Sequence, residues 1–411
     1  MMYVKIKYPK LSIYYCLMQA TYFMSHCALG GFSVVYLYWK GFDNTKIGII
    51  LSIASTSSIL LQMALGKITT QGGKLSLHPI IFYIMASISS LTFLLILGPT
   101  SKWIIASLFI TITACHTLLN TLYNALFSLY TANNNDINYG LARGMGSIAF
   151  ALASFFIGNY IESQGPSTIM LVFFVCFGSV ILMTTLATIT YYTNSQRDVQ
   201  SLKSMDRKSL YSIMDFFKKY KELPYFLIGV AFLFYSHTTA YTYLYNVIDN
   251  IGGNSKGMGV ALAIATIVEV PTMLLYNILT RKVAHSKWIK IAAFFFCIII
   301  IVMATASNII GIYLSQSLQL FAFALFTPAS VHYINERIEL EDNVMGHSLL
   351  SMAIGIGGTI ANLASGALLD VLNVKWVLVL ASIMAGVGFL TLALFLPKEK
   401  RLVINNINKL L

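Results

Sequence analysis

The sequence predicts an all-α membrane protein with twelve transmembrane helices arranged in two six-helix halves. Three observations support this prediction: the composition, a series of apolar runs, and a basic polar stretch in the middle of the chain. Of the 411 residues, 57% are hydrophobic and only 10% are charged, and the mean hydropathy is +0.74. Soluble proteins carry about 25% charged residues, so this composition excludes an ordinary soluble domain.

Twelve apolar runs are long enough to cross a bilayer, which takes about 20 predominantly apolar residues. We call them spans 1 to 12. The first run is too long for a cleaved signal peptide, so we expect it to remain as a helix of the mature protein. The predicted spans cover about 11–38, 46–66, 77–97, 103–130, 139–161 and 167–193, then 223–248, 257–280, 288–306, 309–334, 345–369 and 374–396.

The longest polar stretch, residues 194–222, lies between the sixth and seventh spans and is rich in Lys and Arg. We expect a basic cytoplasmic linker that is helical over about 210–220. It divides the chain into an N-terminal half at 1–193 and a C-terminal half at 223–397, which is followed by a tail at 398–411.

Most Lys and Arg residues fall on one side of the predicted topology. Both termini, the linker and the other even-numbered loops hold 22 of the 27. Because cytoplasmic loops are enriched in Lys and Arg, we expect both termini to be cytoplasmic, in a multi-pass protein of the cytoplasmic membrane. The net charge of +12 is thus explained by topology and by attraction to the lipid bilayer, and we expect no nucleic-acid partner.

The remaining chemistry-bearing residue types show no cofactor pattern. The five cysteines lie in apolar runs without paired spacing, the seven histidines lack metal-ligand spacing, and no Gly-rich phosphate loop is present. We therefore expect no disulfide, no metal and no cofactor.

Polar side chains away from the ends of spans follow a pattern of three. Spans 3, 6, 9 and 12 differ from the others, and the stretches 291–306 of span 9 and 377–395 of span 12 carry nothing stronger than Ser or Thr. Transporters built from three-helix repeats fit this pattern if the third helix of each repeat is peripheral. The other spans carry Gln19, His26, His116, Asn120, Tyr123, Asn124, Arg143, His237, Tyr241, Tyr245, Glu269, Gln316, Gln319 and Asn362.

Arg143 and Glu269 are the only charged side chains that we place inside the apolar runs. A charge at bilayer depth costs roughly 2.5–3.5 kcal/mol and usually faces a polar cavity. We favour substrate binding for Arg143 and proton coupling for Glu269. The alternatives are that Arg143 extends to water at the membrane surface and that Glu269 is a protonated structural acid bonded to a neighbouring helix.

Two groups of polar residues share helical faces and leave two interpretations open. His116, Asn120 and Asn124 either line a cavity or form interhelical hydrogen bonds worth about 0.6 kcal/mol each. Tyr241 belongs to a stripe with residues 237 and 245, which either lines a solute site or forms an aromatic belt at the outer interface.

Four features stand out along the chain: 139–147 (YGLARGMGS) followed by Phe150, then Glu269, then 333–337 (YINER), and 346–350 (GHSLL). Together with the 6+6 arrangement and the central basic linker, they resemble the major facilitator superfamily along essentially the whole chain. Within it, the chain is most similar to the group that contains lactose permease, nucleoside–proton symporters and phenylpropionate-type permeases. The superfamily signature after span 2, here 66–74 (GKITTQGGK), is degenerate, with Thr70 in place of its Asp.

The resemblance implies roles for particular residues. Arg143 would grip solute hydroxyls, Phe150 would stack on the solute ring, and Glu269 would complete a sugar site. The helix 4 acid of that group is Asn124 here, and its helix 10 proton-handling pair is Gln319 and an alanine. The basic residue expected in helix 9 is missing as well. Glu269 is therefore the only deep acid that remains for proton coupling.

We therefore expect a secondary active transporter and not an enzyme. It would move a small polar organic solute, a sugar or a nucleoside first, by proton-coupled symport with alternating access, as a functional monomer. An exporter of drugs or metabolites with the same fold is the first alternative, and a membrane-embedded enzyme or sensor is the second. The predicted solute site comprises His116, Asn120, Asn124, Arg143, Phe150, Tyr241, Glu269, Gln316, Gln319 and Asn362.

Overall fold

Helices cover all twelve predicted spans, which confirms the predicted all-α membrane fold. The structure, a computed structural model, describes residues 9–70, 77–98, 100–132, 137, 139–195, 213–279, 283–339 and 342–396. Within these ranges, ten helices are long and apolar enough to cross a membrane. The other two, spans 1 and 8, are helical as well and contain the more polar residues Gln19, His26 and Glu269.

We call the face where spans 1 and 7 begin and span 12 ends the terminal face, and we call the other the opposite face. At the terminal face, Tyr225 of span 7 stacks on Phe395 of span 12.

Nine spans are single α-helices. The bounds, in order for spans 2 to 6, 8, 9, 11 and 12, are Asn44–Thr70, Leu77–Ile96, Lys102–Ala132, Tyr139–Gln164, Ile169–Ser195, Ser255–Leu279, His285–Thr305, Asn343–Leu369 and Val374–Phe395.

Spans 1, 7 and 10 are interrupted away from their ends, whereas the sequence predicted continuous helices. Irregular backbone is tolerated at membrane depth only where it is buried in protein or lines a cavity, and all three breaks lie beside the cavity described below. Span 1 is Pro9–His26, a π-helical turn at Cys27–Gly31 and Ser33–Trp39; span 7 is Leu223–Thr242 and Leu244–Asn250; span 10 is Ile309–Ser317, a 3-10 turn at Leu318–Leu320 and Phe323–Arg337.

The main packing of spans 3, 6, 9 and 12 is against spans of their own half. Two symmetric pairs join the halves instead: span 5 with span 8, and span 2 with span 11. The peripheral position of every third span agrees with the polarity pattern of the sequence, because polar side chains are unfavourable on helices that face lipid.

Glycines allow the two halves to approach closely near the opposite face. A Cβ atom at Gly158 of span 5 would lie 2.7 Å from the Ser255 carbonyl oxygen and 2.8 Å from the Gly259 Cα of span 8. A Cβ at Gly366 of span 11 would lie 2.5 Å from the Asn44 carbonyl oxygen of span 2. Only glycine permits backbones to pack this tightly.

Asp370, the residue after span 11, adds polar contacts to this junction. Its carboxylate accepts hydrogen bonds from the backbone N–H groups of Asn44 (3.1 Å) and Thr45 (2.7 Å) at the start of span 2, and from both of their side chains. A carboxylate at a helix N-terminus satisfies backbone N–H groups that have no partner within the helix. Asp370 therefore ties the C-terminal half to the first turn of span 2.

The helix predicted for the linker is present at Ile213–Lys219, and residues 210–212 of its predicted range lie outside the described residues. It is attached to the C-terminal half at the terminal face. Lys219 pairs with Glu339 at 2.7 Å and Asp342 at 2.8 Å, and the Tyr220 hydroxyl donates a hydrogen bond to Asp342.

Candidate functional site

A cavity of about 200 Å³ lies between the two halves, on the terminal-face side of the glycine contacts. Spans 1 and 5 form its N-terminal wall, and spans 7, 8 and 10 form its C-terminal wall. It contains both membrane charges. The predicted site residues that line it are Arg143, Phe150, Tyr241, Glu269, Gln316 and Gln319.

Arg143 is held in place by two neighbours and presents its guanidinium group to the cavity. The guanidinium carbon lies 4.3 Å from the centre of the Phe23 ring of span 1, a cation–π arrangement. One of its N–H groups donates a hydrogen bond to the Ser147 hydroxyl at 3.1 Å. Since arginine has five N–H donors, the group keeps donors for a solute or water.

The close contact between Gly146 and the Phe23 ring explains why the motif around Arg143 contains a glycine at position 146. A Cβ atom there would lie 2.5 Å from a carbon of the Phe23 ring, which is too close for any side chain. A Cβ atom at Gly144, two residues earlier, would have nothing within 4 Å. The two glycines therefore differ: Gly146 makes room for the ring that supports Arg143, and Gly144 does not.

Glu269 faces the cavity from the C-terminal half and is 9% exposed. Leu262, Ala265 and Thr266 precede it on the same face of span 8 and also line the cavity. Although the structure describes both charged side chains, no salt bridge of 4.0 Å or less joins Glu269 to Arg143. The Glu269 carboxyl group and the Arg143 guanidinium group thus lie on different walls of one cavity, with room for a solute to contact both.

Two glutamines of span 10 add amide groups to the same wall. Gln316 and Gln319 are both 5% exposed, and Gln319 lies in the 3-10 turn. Within the described ranges, the Gln319 Oε1 atom has no hydrogen-bond partner. An unpaired buried acceptor costs about 1–3 kcal/mol, so a donor supplied by a solute would remove this cost.

Ring side chains make up much of the remaining surface. His237 stacks on Phe323 with centroids 5.0 Å apart and an angle of 10° between the ring planes. His26 is parallel to the His116 ring behind it, with centroids 5.7 Å apart. The rings that line the cavity are Phe23, His26, Phe150, His237, Tyr241 and Phe323.

The predicted solute site left out several of these lining residues. The sequence placed His237 on a stripe with Tyr241, for which a solute site was one of two interpretations, and in the structure His237 lines the cavity. Ser147 lies four residues after Arg143 and was equally detectable. Phe23 and Phe323 gave no signal, because an aromatic residue in an apolar run is usually a core or lipid-facing residue.

Four predicted site residues do not line the cavity in this structure. His116 is buried behind His26 and bonds to the Ser25 hydroxyl at 2.8 Å. On the same span, Asn120 is half-buried and Asn124 is exposed, and the cavity takes its N-terminal wall from spans 1 and 5 instead. Asn362 lies in the contact between spans 2 and 11, where its backbone carbonyl accepts a hydrogen bond from the Tyr243 hydroxyl at 2.8 Å.

Some sequence predictions concern residues outside the described ranges. The motif at 66–74, including Thr70, has no described side chains, and neither has the C-terminal tail. Across the residues that are described, no group of three His, Cys, Asp or Glu side chains is placed to hold a metal ion.

Comparisons with known proteins agree with the fold. "Uncharacterized transporter YwbF" of Bacillus subtilis (strain 168) is 24% identical over 305 residues, 72% of each chain. Solved structures of the nucleoside transporter NupG and of a mutant of it superpose with TM-scores of 0.76 and 0.74 at 13% identity, covering 94% of this chain and 100% of theirs. That identity shows a shared fold alone. Residues 15–403 match the MFS_1 like family. The chain therefore belongs to the MFS_1 like family and is a multi-pass membrane transporter of the major facilitator type, not an enzyme.

Proposed function

We propose that this transporter moves a small polar organic solute, a nucleoside before a simple sugar, together with protons. One observation carries the proposal. The cavity presents Arg143 from one half and Glu269 from the other, surrounded by ring side chains and by the unpaired amide oxygen of Gln319. A solute that fills it would contact both halves at once.

The lining favours a solute with both a planar ring and hydroxyl groups. Aromatic side chains prefer stacked or edge-to-face contacts with other rings, and His237 with Phe323 already forms such a stack. Arg143 can donate hydrogen bonds to hydroxyl oxygens, and the Gln319 amide oxygen can accept hydrogen bonds from hydroxyl groups. A nucleoside has both features, and the fold is shared with a nucleoside transporter.

Cavity size argues against a large drug as the solute. Sites for drug-sized ligands occupy about 300–1,000 Å³, whereas this cavity measures about 200 Å³. A nucleoside or monosaccharide is a better match.

The way the halves meet supports transport by alternating access. With the terminal face cytoplasmic, as the Lys and Arg distribution predicts, this conformation is closed towards the outside and its cavity lies on the cytoplasmic side. Rocking of the halves about spans 2, 5, 8 and 11 would move the closure to the other end. Glu269 would take up a proton on one side and release it on the other, in a functional monomer in the cytoplasmic membrane.

Ligand-induced stabilisation of the purified protein tests the proposal, since a ligand that binds only the folded state raises its apparent Tm. We expect uridine or adenosine to raise Tm and to exchange across proteoliposomes loaded with the same nucleoside. A Tm rise with monosaccharides alone would indicate that the solute is a sugar and not a nucleoside. No effect from either class would overturn the proposal.

A further inference from the structure

A second cluster of titratable side chains lies at the terminal face of the C-terminal half, away from the solute cavity. The Tyr276 hydroxyl of span 8 is 2.7 Å from Nδ1 of His285, the first residue of span 9. Nε2 of His285 is 3.1 Å from a carboxylate oxygen of Glu336 in span 10. A hydrogen-bonded chain therefore connects three spans from a buried phenol to a half-exposed carboxylate.

Chemistry fixes the direction of the hydrogen bonds in this chain. An ionised carboxylate can only accept, so Nε2 of His285 carries the hydrogen that points to Glu336. In the neutral imidazole, Nδ1 is then the acceptor for the Tyr276 hydroxyl. Each group donates to the next one towards the surface, which is the arrangement needed to pass protons outwards.

The cluster continues the cavity-lining face of span 8. Tyr276 follows Glu269 by seven residues, two helical turns or about 10 Å along the helix axis. Tyr276 is 2% exposed, whereas the Glu336 side chain is 50% exposed. The hydrogen-bonded chain thus starts on the terminal-face side of the proposed proton-coupling acid and ends at the surface.

A third ring lies against His285. His332 of span 10 stacks on His285 with centroids 4.9 Å apart and on Tyr276 at 5.6 Å. In the described part of the chain, the titratable groups that face His285 are therefore Tyr276, His332 and Glu336.

We propose that Tyr276, His285 and Glu336 form the route by which the coupled proton leaves Glu269 for the cytoplasm. This inference rests on the proposed proton coupling. A proton carried by cavity water joins the Tyr276 oxygen while the hydroxyl proton passes to Nδ1 of His285. The Nε2 proton of His285 passes to the Glu336 carboxylate, which releases it to bulk water. Each group gains one proton and gives up one, so the chain returns to its starting charge. Return of the His285 hydrogen from Nδ1 to Nε2 then restores the starting tautomer for the next proton.

Two substitutions interrupt proton passage and retain most of the contacts. Tyr276→Phe keeps the ring but removes the hydroxyl. His285→Gln keeps one acceptor and one donor, but an amide does not take a proton at one atom and release another. His347→Gln is a matched control, since His347 lies at the same face and bonds only to Asn335 in the described structure.

Proteoliposomes loaded with nucleoside separate the relay from a purely structural role. We expect both variants to slow proton-coupled net efflux by at least about tenfold, since a positioned acid–base group typically contributes about 10²–10⁴-fold. We expect one-for-one nucleoside exchange to stay near the wild-type rate. His347→Gln should leave both unchanged. Equal net efflux and proton flux in the variants and wild type would overturn the relay, and so would an equal loss of exchange and net efflux. If wild type itself moves nucleoside without protons, the proposed function fails instead.

Discussion

The guanidinium carbon of Arg143 lies 4.3 Å from the centre of the Phe23 ring, so a residue of span 1 supports the charge contributed by span 5. This contact does more than offset the cost of a charge within the membrane. It fixes the direction in which the planar N–H donors point, and Ser147 fixes it further. Binding geometry at Arg143 therefore depends on residues that need not touch the solute.

Gly146→Ala should weaken solute binding without altering any lining side chain directly. The added methyl group would displace the Phe23 ring and thereby tilt Arg143. We expect the Kd of the solute to rise about tenfold, or about 1.4 kcal/mol, in a titration of the purified protein. Gly144→Ala is the control, and an equal effect from both substitutions would contradict the role given to Phe23.

Gln319→Leu should separate stability from binding. Replacing an unpaired buried amide by an apolar group of similar size is neutral or stabilising, so the apparent Tm of the ligand-free protein should not fall. Binding should weaken about tenfold, because one hydrogen bond of roughly 1–1.5 kcal/mol to the solute is lost. A variant that binds as tightly as wild type would show that the Gln319 amide does not contact the solute.

Gly259→Ala should open the protein at the opposite face. Its methyl group would collide with the Ser154 carbonyl of span 5, which cannot move independently of its helix. Spin labels at Gln164→Cys and Asn250→Cys, in a background with the native cysteines replaced, report the separation of the halves there. We expect a longer distance than in wild type. Gly178→Ala is the control, because a Cβ atom at Gly178 would have nothing within 4 Å, and it should leave the distance unchanged. An unaltered distance in Gly259→Ala would contradict close packing as the basis of closure.

Asp370 gives closure a defined pH dependence. Partial burial works to raise the pKa of this carboxyl, but the hydrogen bonds from Thr45 and Asn44 outweigh it and hold the pKa below its ordinary value of 3.8. When a contact lowers the pKa of a carboxyl group, the ionised group stabilises that contact fully at pH values above its ordinary pKa. This stabilisation is lost as the pH falls through the lowered pKa. Closure should therefore be constant from pH 5 to pH 8 and weaken only in stronger acid.

The same pair of spin labels measures this effect. Asp370→Asn should lengthen the distance at neutral pH, since the amide replaces one acceptor oxygen by a donor facing N–H groups. Asp249→Asn, at an exposed residue of the same face, is the control. Opening of wild type near pH 6 would show that another group governs closure.

The sequence was sufficient for the fold because apolar runs of bilayer length leave few alternatives to a helix. Arg143 and Glu269 were equally detectable, since a charge in such a run needs a polar environment. Asn120 and Asn124 show the limit: spacing tells which residues share a helical face, but not which neighbouring helix covers that face. The break at Leu318–Leu320 was not predictable either, because no proline or glycine lies within it.

Proton coupling through Glu269 is the central claim, and accumulation driven by a pH gradient measures it most directly. Proteoliposomes with an alkaline interior should concentrate nucleoside through wild type and through the control Glu222→Gln, which changes an acid at the start of span 7. Glu269→Gln should abolish accumulation and retain exchange of nucleoside for nucleoside. Accumulation by Glu269→Gln at the wild-type level would contradict the account.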